Sequence, residues 1–199
     1  MLEIDFSNYY WKNSFVQLRL QREDDWEARI YNKYNSELRF FMNDDIELPV
    51  DVDLYKQWHI DLIQKHRAES NSDSILFAIE NNNGEHVGVC NLYGIDERHG
   101  RFGPVGIEIN VSHRNKGYGT AAFRIIGRYM FKERRMHKWN SGYVEGNNAS
   151  AAMHKKLGFI VEGVRSDSIY HDGKYRGEVM CGITETQFFE NEKALPLLV

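Results

Sequence analysis

Cysteine is nearly missing from this chain: Cys90 and Cys181 are the only two among 199 residues. Neither has a neighbour at metal-ligand spacing, and both lie in apolar runs, so they read as buried reduced thiols and point to a cytoplasmic compartment. Proline is scarce as well. Pro49, Pro104 and Pro196 fall at the edges of elements and break none of them. No apolar run approaches the ~18 residues that span a bilayer, which argues against a membrane helix. The opening Met1-Leu2-Glu3-Ile4-Asp5 lacks the basic flank and apolar stretch of a signal peptide. Charge of neither sign dominates: 25 Lys and Arg stand against 29 Asp and Glu, for a net of −4. A broad nucleic-acid footprint is thereby excluded. The one basic cluster, Lys132 to Lys138, encloses Glu133 and reads as the cation-rich end of a helix.

What is present is an ordinary globular composition, 42% hydrophobic and 27% charged. The length suits one compact α/β domain over residues 1–199, with a core at about 15–184, a lead-in at 1–14 and a tail at 185–199 that is left open as to packing. Phe15–Leu20 alternates as a first strand. Glu23-Asp24-Asp25 supplies the acidic start of a helix to about Asn35, and a second helix covers Val52–His66. Ser74–Glu80 and His86–Tyr93 form a hairpin around Asn82-Asn83-Gly84-Glu85. From Val105 the alternation is strict, with Val105, Ile107, Ile109 and Val111 on one side and Gly106, Glu108 and Asn110 on the other.

The best-defined helix runs from Tyr118 to Arg134, carrying Ala121, Ala122, Ile125, Ile126, Tyr129 and Met130 as one apolar stripe. A strand at Trp139–Val144, a helix from Asn148 to Leu157 ended by Gly158, and strands at Phe159–Val164 and Glu178–Ile183 follow. The alternation predicts a mixed sheet with helices on its faces.

Between the alternating strand and the long helix stands Arg114-Asn115-Lys116-Gly117-Tyr118-Gly119-Thr120. A helix N-terminus offers unpaired N–H groups and partial positive charge, which suit a phosphate. Glycine at 117 and 119 lets a pyrophosphate approach them, and Arg114 and Lys116 add charge. Two glycines alone would equally make a plain strand-to-helix turn.

In this context Arg-x-x-Gly-x-Gly resembles the acetyl-CoA pyrophosphate loop of the GNAT acetyltransferases. Further along, Asn147-Asn148-Ala149-Ser150-Ala151-Ala152-Met153-His154-Lys155-Lys156-Leu157-Gly158-Phe159 is similar to the family's second signature. The resemblance spans about residues 15–184 and looks nearest to the branch holding spermidine N-acetyltransferase and the ribosomal-protein N-terminal acetyltransferases, where endings like Asp172-Gly173-Lys174-Tyr175-Arg176 recur. It implies a GNAT-like α/β domain: a mixed, largely antiparallel sheet of about six to seven strands, with helices on both faces. It also implies acetyl-CoA as co-substrate and no metal. The acceptor would be a small amine, such as a polyamine, or a peptide N-terminus. Oligomeric state is left open, the family often dimerising through sheet edges or helices.

Residue by residue, the resemblance implies that Glu108, Ile109 and Asn110 border the pantetheine arm and the acetyl group, where a backbone N–H can hold the developing oxyanion. The backbone of Asn115 to Thr120 would take the pyrophosphate, and Asn147 and Ser150 would lie against the pantetheine. Asn147 could equally be a helix cap. Many family members have tyrosine at 154 to protonate the departing thiolate. This chain has His154, whose ordinary pKa suits proton transfer, although a helix residue without a proton role is the other reading. Glu108 is the candidate base for the attacking amine, against the alternative of a salt-bridged strand carboxylate. The acidic stretch Asp44-Asp45-Ile46-Glu47 with Asp51 and Asp53 would steer a cation or simply be solvated, and Tyr31, Tyr34, Phe40 and Phe41 would line an acceptor groove or pack in the core. A non-catalytic acyl-CoA-binding module and an interaction domain on the same fold are the rival readings.

Overall fold

Two sheets of four strands each share one hydrophobic core and separate at a single place. The fold is known from a computed structural model, which describes residues 9–42, 49–68, 74–171 and 173–195. The first sheet contains β1 (Val16–Leu20), β2 (Ile75–Asn81), β3 (His86–Leu92) and β5 (Val105–Ile109), in that spatial order and wholly antiparallel. The second has the order β4 (Arg101–Phe102), β6 (Lys138–Val144), β8 (Lys174–Thr184), β7 (Ile160–His171). Its β4–β6 pair is parallel and the others antiparallel. The expected mixed, largely antiparallel α/β architecture is found, with eight strands among the described residues and with the sheet divided in two.

The division has a local cause. β4 pairs with the start of β6, and after two residues the chain turns away to become β5 of the other sheet. The turn is Gly103-Pro104, where Gly103 has φ +107 and its backbone lies so close to β6 that a Cβ would overlap the Asn140 carbonyl oxygen. Only glycine fits there. Beyond this point β5 pairs with β3 and β6 with β8, and a cleft opens between β5 and β6.

Six helices flank the sheets among the described residues. α1 (Trp26–Lys33) packs against β3 of the first sheet, and α2 (Ser36–Phe41) and α3 (Val52–Ala68) pack on α1. The single helix expected up to Asn35 is a short turn at Glu23–Asp25 followed by α1, and α2 was not foreseen. Asn35 makes the break, since its side chain accepts from the Leu38 N–H and caps α2.

On the other side are α4 (Tyr118–Arg128) and α5 (Asn148–Lys156). The long helix expected up to Arg134 is α-helical only to Arg128, then widens into a π turn over Tyr129–Glu133, closed by the Arg134 N–H on the Tyr129 carbonyl at 3.1 Å. Its apolar stripe enters the core, whose centre is the fully buried Trp139 indole, 5.0 Å from the Phe102 and Phe123 rings and 5.1 Å from Phe159.

One further expectation needs correction, and one open point is decided. Val111 does not extend the alternating strand: pairing with β3 ends at Gly88 opposite Ile109, and Val111 sits half-exposed in a tight turn. The tail does pack. α6 (Glu185–Ala194) starts at a capping box between Thr184 and Gln187 and sinks Phe188 into the core, 5.3 Å from the Phe131 ring. Glu192 then pairs with the buried Arg124 of α4. Both cysteines are free and buried, and desolvation raises both thiols, Cys181 to about 12.

Candidate active site

The cleft between β5 and β6 has a volume of about 1020 Å³, at the upper end of what ligand sites usually offer. One end is the loop before α4. Arg114, Asn115, Lys116, Gly117, Tyr118, Gly119 and Thr120 all line the cleft. Asn115 (φ 60) and Gly117 (φ 86) are left-handed, which turns the chain sharply into the helix. The first-turn N–H groups of α4 have no intrahelical partners, and Gly119 lies so tightly against β5 and α5 that a Cβ would stand 3.3 Å from Ile107 Cδ1 and 3.4 Å from Met153 Sδ. Such a cradle fits a pyrophosphate, as the chemistry of acetyl-CoA requires. The charges beside it are partly engaged: Arg114 Nε donates to the Ile109 carbonyl at 3.4 Å and Lys116 Nζ to the Ser112 carbonyl at 3.2 Å.

Ile109, Asn147, Ser150 and His154 line the same cleft, so the structure brings both sequence signatures to one cavity. Asn147 caps α5, its side-chain oxygen accepting from the Ser150 N–H at 3.1 Å. This engages only the oxygen of its amide. His154 is 4% exposed and held at both ring nitrogens. Nδ1 lies 2.8 Å from the Ser150 carbonyl and 3.2 Å from Ser150 Oγ, while Nε2 lies 2.8 Å from Ser141 Oγ. Burial lowers its pKa below the ordinary value, against the opposing pull of the Ser150 carbonyl. His154 is therefore a neutral imidazole near pH 7.

Glu108 and Asn110 are not among the residues lining the cleft. Glu108 is buried on the face of β5 towards α1, where Asn32 Nδ2 donates to Oε1 at 2.6 Å and Arg29 Nη2 stands 3.7 Å from Oε2. Burial disfavours the Arg29 charge, but the Glu108 carboxylate outweighs it and holds the pKa up. Asn110 accepts from Asn32 Nδ2 at 3.0 Å and donates to the His86 carbonyl at 3.0 Å. The alternation correctly put these two side chains on the face opposite Ile107 and Ile109, and that face belongs to α1.

Glu37, Leu38, Phe41 and Met42 from the α2 region and Glu162, Arg165, Ile169, Glu178 and Met180 from β7 and β8 line the same cleft. The Arg176 guanidinium lies 5.5 Å from the Phe40 ring centre. Sequence reasoning named Phe41 here but missed the acids, because scattered single carboxylates carry no pattern until the hairpin folds over. Tyr31 and Tyr34 are exposed and Phe40 is buried, and none of the three lines the cleft. Nor do Asp51 and Asp53, while Asp44, Asp45 and Glu47 lie outside the described residues. Among the described residues no group of His, Cys, Asp and Glu could hold a metal ion, and no helix is long and apolar enough to cross a membrane.

Residues 16–160 match the family model described as an acetyltransferase (GNAT) domain. The chain belongs to the GNAT acetyltransferases. Acetyl transfer from acetyl-CoA to an amine is the chemistry of that family, and the chain shares it by membership. Similar relatives include an uncharacterized N-acetyltransferase, YokL, of an SPbeta prophage in Bacillus subtilis, 25% identical over 90% of this chain and 95% of its own. Spermidine N(1)-acetyltransferase of Escherichia coli is 26% identical over 89% of this chain and 90% of its own. Among solved structures, spermidine N-acetyltransferase from Vibrio cholerae, in complex with CoA and spermine, superposes with a TM-score of 0.75 at 19% identity, covering 89% of this chain and 99% of that one. A putative ribosomal N-acetyltransferase of Bacillus subtilis and the ribosomal protein uS5-alanine N-acetyltransferase of Escherichia coli are also similar to this chain, in line with the branch resemblance of its sequence.

Proposed function

We propose that this GNAT domain acetylates a primary amine on a small cationic molecule, a polyamine being the representative class, by direct attack on the thioester of acetyl-CoA in the cytoplasm. The observation that carries the reading is the continuity of one cleft. The phosphate cradle at α4, the His154 imidazole and the carboxylates Glu37, Glu162 and Glu178 all line it. A cation arriving there meets Glu37 and two carboxylates already paired with cations, Glu162 with Lys138 and Glu178 with Arg165, which together favour positive charge. The names of the spermidine-acetylating relatives support the same class. A peptide N-terminus, the acceptor named for the ribosomal-protein relatives, is the second reading.

In this reading the backbone of Asn115 to Thr120 binds the pyrophosphate, Asn147 and Ser150 lie along the pantetheine, and a backbone N–H at Ile109 or Asn110 meets the carbonyl oxygen. The proton needed by the departing thiolate is held at His154, in the wall of the cleft. Glu108 is given no proton to carry, because its carboxylate is committed to Arg29 and Asn32. Its role is to hold α1 against β5.

The experiment is thiol release from acetyl-CoA with spermidine, other small amines, aminoglycosides and peptides with free N-termini. Release with polyamines is expected. Release with peptides alone would move the acceptor class to protein N-termini. Acetyl-CoA binding without release in any arm would replace the enzyme by a non-catalytic acyl-CoA binder.

A further inference from the structure

The Ser141 hydroxyl and the His154 imidazole form a hydrogen-bonded pair in the wall of the cleft, and neither the family match nor the sequence signatures assign Ser141 a role. Ser141 sits midway along β6, on the strand that parts from β5, and it lines the cleft. The direction of the hydrogen bonds follows from one fixed acceptor. The Ser150 carbonyl can only accept, so the nitrogen 2.8 Å from it, Nδ1, carries the imidazole proton. A neutral ring then has a bare Nε2, and the Ser141 hydroxyl 2.8 Å away must donate to it. The oxygen lone pairs of Ser141 are left to accept from whatever occupies the cleft.

We propose that Ser141 is the group that touches the reacting atoms and that His154 acts behind it, the pair shuttling one proton from the attacking amine to the departing sulfur. This rests on the acetyltransferase reading above. As the neutral amine nitrogen bonds to the acetyl carbon, Ser141 Oγ takes the N–H proton and passes its own to His154 Nε2. The resulting imidazolium is held by the Ser150 carbonyl through Nδ1. When the C–S bond breaks and its electron pair goes to sulfur, Ser141 gives a proton to the thiolate and recovers one from His154. One N–H and one C–S bond are broken and one C–N and one S–H bond are formed. Ser141 and His154 end unchanged. The pair supplies the base that Glu108, turned to α1, does not.

The surroundings suit a transient rather than a permanent charge. The His154 ring packs against Phe159 at 4.9 Å, Phe123 of α4 at 6.2 Å and Tyr143 of β6 at 5.3 Å. Tyr143 is the titratable side chain among these, and burial raises its pKa, so it stays neutral near pH 7. The cations Lys155 and Lys156 follow on the same helix and are exposed.

The test compares wild type with Ser141→Ala, Ser141→Thr and His154→Gln, reading acetyl-CoA affinity, thermal stability, kcat and the pH profile. Ser141→Ala should keep acetyl-CoA binding and lower kcat by about 100-fold or more, as loss of an acid–base group does. Ser141→Thr, which keeps the hydroxyl, should recover most of the rate. The inflection that His154 adds to the acidic limb of the wild-type kcat/KM profile should vanish in Ser141→Ala and His154→Gln alike, leaving the limb set by the amine's own ionisation. Wild-type kcat in Ser141→Ala, or a threonine variant as slow as alanine with binding intact, would overturn the shuttle while leaving the acetyltransferase standing. An acetyl group found on Ser141 by mass spectrometry, after acetyl-CoA without amine, would overturn it in favour of an acyl-enzyme. If the variants fail to fold, imidazole ¹⁵N spectra of wild type decide: a proton on Nδ1 is required, and one on Nε2 of the neutral ring sinks the proposal. A wild type inactive with every amine would remove the acetyltransferase reading itself and the shuttle with it.

Discussion

Asn32 and Glu108 are 76 residues apart in the chain, and the Asn32 amide donates to the Glu108 carboxylate at 2.6 Å inside the protein. The same Asn32 nitrogen reaches Asn110, so one side chain of α1 holds Glu108 in β5 and the residue just past the strand's end. The strand that forms one wall of the cleft is thus braced from behind by polar contacts, with Arg29 completing the charge balance.

Glu108→Gln keeps the shape and leaves the buried Arg29 charge without its counterion. The expected outcome is a loss of about 3 kcal/mol in urea denaturation, the scale on which removing one partner of a buried pair acts. Acetyl-CoA turnover at a temperature well below unfolding should fall little. A kcat collapse with unchanged stability would return Glu108 to the role of base.

Gly117→Asp places a side chain on a left-handed residue (φ 86) and a negative charge at the phosphate cradle. Acetyl-CoA affinity should fall by about 100-fold or more, equivalent to roughly 3 kcal/mol. Calorimetric titration checks this, and retained affinity would remove the loop from the binding site.

His59, His86 and His154 are all pushed below the ordinary imidazole pKa by burial. Each binds its proton more readily in the unfolded chain, so folding stability falls as pH drops below about 6.5 and is fully present above it. The slope should approach about 1.4 kcal/mol per pH unit for each histidine while the folded state stays unprotonated. Urea midpoints between pH 8 and pH 5 measure it, and a flat profile there would contradict the burial of these rings in neutral form.

Phe188 anchors α6. Its ring is so close to α4 that a Cβ on Gly127 would stand 2.5 Å from it. Phe188→Ala should lower stability by about 3–5 kcal/mol. Thermal denaturation would show the change, and a shift of a degree or less would mean that α6 is dispensable.

Some of this was legible along the chain because the cause was local. The strand at Val105–Ile109 shows in its period of two, α4 in its apolar stripe, and the cradle in glycines set between a strand and a helix. Cap and turn residues such as Asn147 and Gly158 mark their own elements. The family likeness also lives in these short stretches, which is why both signatures could be placed before any fold was known.

What only the tertiary structure decided are the relations between distant segments. Alternation assigns Glu108 to a face, but which helix covers that face depends on how α1 docks, and the docking brings Glu108 to Asn32 and Arg29 instead of the cleft. His154 was visible as a residue out of pattern, whereas its partner Ser141, an unremarkable strand serine, gained meaning only when β6 lay beside α5. The cleft itself comes from Gly103 passing against Asn140 and sending β5 into another sheet. A sequence records local preference through side-chain spacing. Close approaches between segments far apart in the chain depend on packing, which no single stretch encodes.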